Sequence, residues 1–222
     1  MPGMRFFLFT LLVGAAAPVA AAEWVMQPGS WLGFETSYDG EAFEGRFARF
    51  EPTLRFDPAT LDDARLDVRI DLASATTDLE ERDEMLVGEE FLDAGTVPEA
   101  RFVATAFRAL GGGRFVADGT LALRGITRPV ALSFTWTPGA RPRLDGEATV
   151  PRLAFGLGTG DWADTAVLPD AVKVRTHLVL AARADAAYRV PSETNARAVA
   201  PSNGQSSSAP VSSRRSTGTR AP

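Results

Sequence analysis

Apolar and polar residues alternate one for one over most of the chain. The cleanest run is residues 64–72, A-R-L-D-V-R-I-D-L, where Ala64, Leu66, Val68, Ile70 and Leu72 share one face and Arg65, Asp67, Arg69 and Asp71 the other. Successive side chains of a strand point to opposite faces, so this spacing predicts a strand with one dry and one wet side. A slip of one residue would bury four charges, which pins the register. Trp31 to Tyr38 alternates in the same way, with Leu32, Phe34, Thr36 and Tyr38 together, and ends at the turn pair Asp39-Gly40. Phe43, Gly45 and Phe47, followed by Leu54 and Phe56, predict a long second strand bent near Pro52. Residues 101–110, 114–123, 130–136, 143–150 and 172–180 continue the series. Their separators are Gly111-Gly112-Gly113, the stretch Arg124 to Pro129, Pro138-Gly139 and the loop 151–170. Glycine admits positive φ, and proline fixes φ and lacks a donor, so both punctuate strands.

The period of two fails at Ser74. Thr77-Asp78-Leu79-Glu80 has the form of a capping box, and Leu79, Met85 and Leu86 make a modest helical stripe before Gly88. A short helix over about 78–87 is expected. Residues 101–110 are apolar on both faces, with Phe102, Ala104 and Ala106 on one and Val103, Thr105 and Phe107 on the other. That strand is therefore expected to be covered on its outer side, by the helix. Eight strands with one short helix inserted after the third predict an all-β, eight-stranded antiparallel barrel. Such a barrel holds either packed side chains or one ligand. The inward set mixes Phe and Leu with Gly45, Gly119, Gly146, Ala104 and Ala148. Small residues facing large ones are compatible with a cavity and equally with a solid, interdigitated core.

The ends differ from this body. Residues 1–22 have the form of a secretory signal: Arg5, an apolar stretch from Phe6 to Val13, and Ala20-Ala21-Ala22 before Glu23. The stretch is short of the roughly 20 apolar residues of a spanning helix, so the expected product is exported, periplasmic or secreted, with no transmembrane segment. Residues 185–222 have almost no large apolar side chains and no period, and are expected to be a disordered tail. The tail holds five arginines against Asp185 and Glu193, and Arg5 lies in the leader, so the total of −5 leaves the body, 23–184, at −9. An acidic body argues against nucleic acid as a partner.

Catalytic chemistry finds little support. The chain has no cysteine, which removes thiol nucleophiles, thiolate metal sites and disulfides. His177, the only histidine, falls on the polar-facing set of the last strand and cannot build a histidine cage. Pairs such as Asp62/Asp63, Glu80/Glu81 and Glu89/Glu90 sit in charge-rich loops or on a helix face, and Gly111–Gly113 lacks the lysine and helix of a phosphate loop. A binding protein is expected, not an enzyme, with no cofactor and no metal.

Taken together, the motifs resemble the YceI family, lipocalin-like periplasmic proteins that bind polyisoprenoids. The resemblance spans 24–183 and rests on Ser30-Trp31-Leu32-Gly33-Phe34, Gly45-Arg46-Phe47, Arg55-Phe56-Asp57-Pro58, Asp67 to Ser74, Arg82 to Leu86, Phe91-Leu92-Asp93 with Pro98 to Phe102, Gly119 to Val130, and Phe155-Gly156-Leu157. The segment Gly156 to Asp164 is similar to a variant found where such domains accompany membrane cytochromes of the b type. The resemblance implies a barrel whose lumen takes an isoprenoid lipid or a quinone tail, for carriage or sequestration. A nine-residue strand spans only about 30 Å, so a long tail would fold back or protrude. The residues expected to line the lumen, each on its strand's apolar face, are Phe34, Phe47, Val68, Ile70, Phe102, Leu121, Leu123, Leu132, Phe134 and Leu178. Trp162, in a glycine-rich loop, is placed either to close a mouth and touch a head group or to anchor the loop on the core. The alternative reading of the whole is a structural or interaction module with a filled barrel, associated with a membrane redox complex.

Overall fold

The structure, a computed structural model, describes residues 22–183. The leader expected before Glu23 lies outside the described residues except for Ala22, and the tail expected over 185–222 lies outside them entirely. The strands are β1 (Glu23–Met26), β2 (Trp31–Tyr38), β3 (Glu41–Phe47), β4 (Phe50–Arg55), β5 (Arg65–Asp71), β6 (Ala75–Thr76), β7 (Glu99–Gly111), β8 (Arg114–Leu123), β9 (Ile126–Thr137), β10 (Arg143–Pro151) and β11 (Ala171–Ala182), with one helix, α1 (Glu80–Val87). Every pairing is antiparallel. They fill eight positions of a closed barrel, because β1 and β2 lie end to end along β11, and β3 and β4 lie end to end beside them. Strands β5, β7, β8, β9 and β10 complete the ring between β4 and β11. The expected eight-stranded antiparallel barrel with one helix after the third strand is the fold.

Four local features differ from the sequence reading. The second strand bends at Ala48-Arg49, not near Pro52. There the buried Ser74 intervenes: Ala48 N–H donates to Ser74 O at 3.0 Å and Arg49 N–H to Ser74 Oγ at 3.0 Å. Pro52 sits in regular register opposite Val68. The capping box does not form, since Asp78 has φ +61° and the helix begins only at Glu80. Thr77 turns to Asp83 instead, donating from its N–H at 2.5 Å and its hydroxyl at 2.7 Å. The link from β8 to β9 is not six residues but two, Arg124-Gly125, with φ +52° and +73°, the double positive φ of a tight hairpin turn. Pro129 then lies inside β9, opposite Thr120.

The fourth feature explains why residues 101–110 look apolar on both faces. The register against β8 shifts between Ala104 and Ala106, a bulge that reverses the alternation. Phe102 and Phe107 thereby both face the interior, and no outer cover is needed. Helix α1 lies elsewhere. β3 pairs with β6 only at Arg46 and Phe47, and beside the rest of its length Arg82 of α1 sits over the Phe43 ring, 4.4 Å from its centre.

Candidate functional site: a hollow half-barrel

One half of the barrel is filled by aromatic rings. Phe56 has no exposed surface, and its ring centre lies 5.0 Å from Trp136, 5.2 Å from Phe115, 5.5 Å from Phe134 and 5.9 Å from Phe107. Trp24 of β1, opposite the buried Leu54, adds to the cluster, 5.4 Å from Trp136, and its indole N–H donates to Phe56 O at 2.8 Å. Edge-to-face and tilted pairs at these distances suit the ring quadrupoles and leave little space. Phe134 belongs to this plug and does not border the cavity, a correction to its expected place in a ligand-lining set. Alternation fixes which way a side chain points, not how far along the barrel it sits.

The other half is hollow. A cavity of about 210 Å³ is walled almost entirely by apolar side chains. Nine of the ten residues expected to line a lumen border it: Phe34, Phe47, Val68, Ile70, Phe102, Leu121, Leu123, Leu132 and Leu178. The inner glycines do not make the room. A Cβ on Gly45 would lie 2.2 Å from the Phe34 ring, and one on Gly119 would lie 2.7 Å from the Phe102 ring. Each glycine lets a phenylalanine from the next strand lie flat across it. The wall also includes residues the sequence reading missed. Phe43, Phe50 and Pro52 come from the bent strand, Leu86, Phe91 and Leu92 from the helical insertion, and Leu157 and Leu168 from the loop after β10. Apart from Phe43, which shares the strand period of Phe47, their signal in the sequence was being large and apolar in segments without strand period.

That loop is built around a buried cation. Arg152 is 2 % exposed, and all five of its N–H groups find backbone carbonyls. Nε donates to Pro169 O at 3.1 Å, one terminal nitrogen to Leu157 O and Gly158 O at 2.9 and 2.6 Å, and the other to Trp162 O and Leu168 O, both at 2.7 Å. Burial pulls its pKa down from the ordinary value, opposed by the nearby Asp170. Arg124, at the hairpin turn, donates to Gly156 O and Glu89 O, joining the β8–β9 turn, this loop and the helical insertion at one end of the barrel. Trp162 packs on Phe91 at 5.5 Å and Tyr38 at 6.1 Å, and donates to Glu90 Oε2 at 2.8 Å. It backs a wall residue and does not border the cavity itself.

His177 points outward as expected but is half-covered, its ring stacked 6.3 Å from Trp31 and its Nδ1 2.6 Å from Asp145 Oδ1. Among the described residues no group of three or more His, Cys, Asp or Glu is placed to hold a metal ion, and no helix is long and apolar enough to cross a membrane.

Known proteins share this architecture. Residues 24–180 match the YceI-like domain family. A UPF0312 protein of Pseudomonas fluorescens is 32% identical over 158 residues, covering 64% of this chain and 80% of its own. The crystal structure of Burkholderia cenocepacia BcnA is similar with a TM-score of 0.67 and 31% identity, over 70% of this chain and 98% of that one. A polyisoprenoid binding domain from Saccharophagus degradans, implicated in plant cell wall breakdown, has the same fold at a TM-score of 0.56 and 17% identity, over 73% of this chain and 99% of that one. With the family match running from β1 to β11, the chain belongs to the YceI-like domain family.

Proposed function

We propose that this barrel is a lipid-binding protein that holds an isoprenoid chain, the tail of a polyprenyl lipid or lipoquinone, in its hollow half. The observation that carries the reading is the apolar cavity beside an aromatic plug. A folded protein gains stability by packing its interior, and leaving one half unpacked sacrifices dispersion contacts. An apolar guest restores them, at about 0.8 kcal/mol per buried CH₂. The Saccharophagus degradans protein of the same fold, a polyisoprenoid binding domain, supports the same ligand class. With the plug at one end, a flexible chain enters from the end held by Arg152 and Arg124. The role is binding, carriage or sequestration, not catalysis. The leader over 1–22, export to the periplasm or beyond, and the separate tail over 185–222 are part of the same proposal.

Native mass spectrometry of the purified protein, followed by organic extraction, tests it. One equivalent of a prenyl lipid is expected, and Leu132→Trp, which fills the cavity from β9, is expected to remove it. A folded Leu132→Trp variant that still carries a full equivalent would show that the cavity is not the site. Protein that never carries or takes up a prenyl lipid would leave a structural module as the better reading.

A further inference from the structure

Two features at the end opposite the plug bear on the part of the ligand that is not chain. The first is Thr36. Among the described residues its Oγ1 is the buried side-chain oxygen left without a hydrogen-bond partner, and Thr36 belongs to the cavity wall. A buried hydroxyl without a partner is costly to keep and is a ready donor and acceptor for one. It sits two residues before Tyr38, which touches Trp162, and three before Asp39, whose N–H donates to Val167 O at 2.9 Å. Thr36 is therefore about 7 Å inside the end of the barrel at which Tyr38 meets Trp162. The second feature is charge. Residues 78–99, which supply Leu86, Phe91 and Leu92 to the wall, carry nine carboxylates and one arginine. Asp39, Glu41, Asp161 and Asp164 add to the same end. The cations nearby are already committed: Arg152 and Arg124 to backbone carbonyls, Arg82 to the face of Phe43, Arg46 to Asp78, and Arg175, itself on the cavity wall, to Glu35 and Glu147.

Resting on the reading of the cavity as a prenyl-chain site, we propose that the bound molecule ends in an uncharged oxygen function, a hydroxyl or a carbonyl. It hydrogen-bonds to Thr36, while the carboxylate rim rejects chains that end in a phosphate or carboxylate. The rim acts at a distance and is screened by salt, whereas the hydroxyl acts by contact and is not.

Three probes sharing one branched twenty-carbon skeleton separate these effects in titrations of the full chain: phytane, phytol and phytyl phosphate. At low salt phytol is expected to bind about tenfold more tightly than phytyl phosphate, and the gap should shrink sharply near 1 M salt, where the Debye length falls to about 3 Å. Glu80, Glu81 and Glu84 changed together to Gln should strengthen phytyl phosphate binding and leave phytol unchanged. Thr36→Val should weaken phytol roughly three- to tenfold and leave phytane unchanged. Its apo form should be at least as stable as the parent, which separates a binding role from a structural one. Equal affinity for phytol and phytyl phosphate at low salt, or an unchanged phytol-to-phytane ratio in Thr36→Val, would overturn the head-group assignment while leaving the cavity site intact. Failure of all three probes to bind would instead remove the cavity reading, and this inference with it.

Discussion

The two halves of this barrel are made of the same strands and behave as different materials. Around Phe56 four aromatic rings meet within 6 Å, and Leu54 beside them is almost fully enclosed. A few residues along the same strands, Phe50, Val68, Ile70 and Val174 are only half-buried and border the cavity. The difference is positional rather than compositional, because phenylalanines and leucines occur in both halves. What changes is whether rings from opposite strands converge on one centre or lie back along the wall, as Phe34 and Phe102 do over Gly45 and Gly119. A closed hydrogen-bonded ring shared by both halves allows one to carry the packing while the other stays open.

The comparison can be broken by substitutions matched across it. Phe56→Ala, at the centre of the plug, should cost about 3–5 kcal/mol in denaturant titrations. A cost nearer to that of an exposed site would mean the plug is not the stable half. Arg152→Met removes the donors of five buried carbonyl contacts and should cost about 2–3 kcal/mol. The damage should be local, with hydrogen exchange rising over residues 152–170 and little change around Phe115 and Phe134. Ala117→Leu, fully enclosed beside the plug, should cost about 1–3 kcal/mol through overpacking. Ala148→Leu adds the same volume on the cavity wall and should stay within about 0.5 kcal/mol of the parent while reducing lipid uptake. Equal costs for the two leucines would erase the distinction between the halves.

Another small effect is expected outside the hollow half. Asp67 on β5 receives two hydrogen bonds from Arg101 on β7, at 2.8 and 2.6 Å, and these hold its carboxyl below the ordinary carboxylate range. The lowered value means the pair stabilises fully above the ordinary carboxylate pKa, about 4, and the contribution fades as pH falls through the folded-state value. Asp67→Asn should cost about 1 kcal/mol or less at neutral pH and remove that part of the acid-side loss. An acid melting profile unchanged by the substitution would show that the pair carries no measurable share.

The strands were legible because one buried face imposes a period of two on the side chains, and runs such as Ala64 to Leu72 show it without interruption. β1 was not, since four residues are too short to display a period, and its pairing with both β4 and β11 is a long-range fact. The bulge near Thr105 hid in plain view, as a run apolar on both faces is how a reversal of phase reads along the chain. The cavity wall was largely legible and Phe134 was not, because depth along the barrel axis leaves no mark on the alternation. Arg152 looked like any loop arginine. Its role depends on carbonyls from Leu157 to Pro169, and backbone groups carry no identity in a sequence.

The pairing of β1 with β11 also brings the two ends of the described chain together. Arg183 N–H donates to Glu23 O at 2.8 Å, and the two side chains form an ion pair at 3.3 Å. The barrel is therefore nearly circular in covalent terms, and a short linker from Arg183 to Glu23 would make a polypeptide that could be opened elsewhere. The choice of opening then matters. A break in the exposed turn at Gly139-Ala140 interrupts no contact described above, whereas a break at Arg124-Gly125 cuts the hairpin whose arginine ties the insertion to the loop after β10. The first permuted chain should refold with its guest site intact, and the second should refold with that end of the barrel untied.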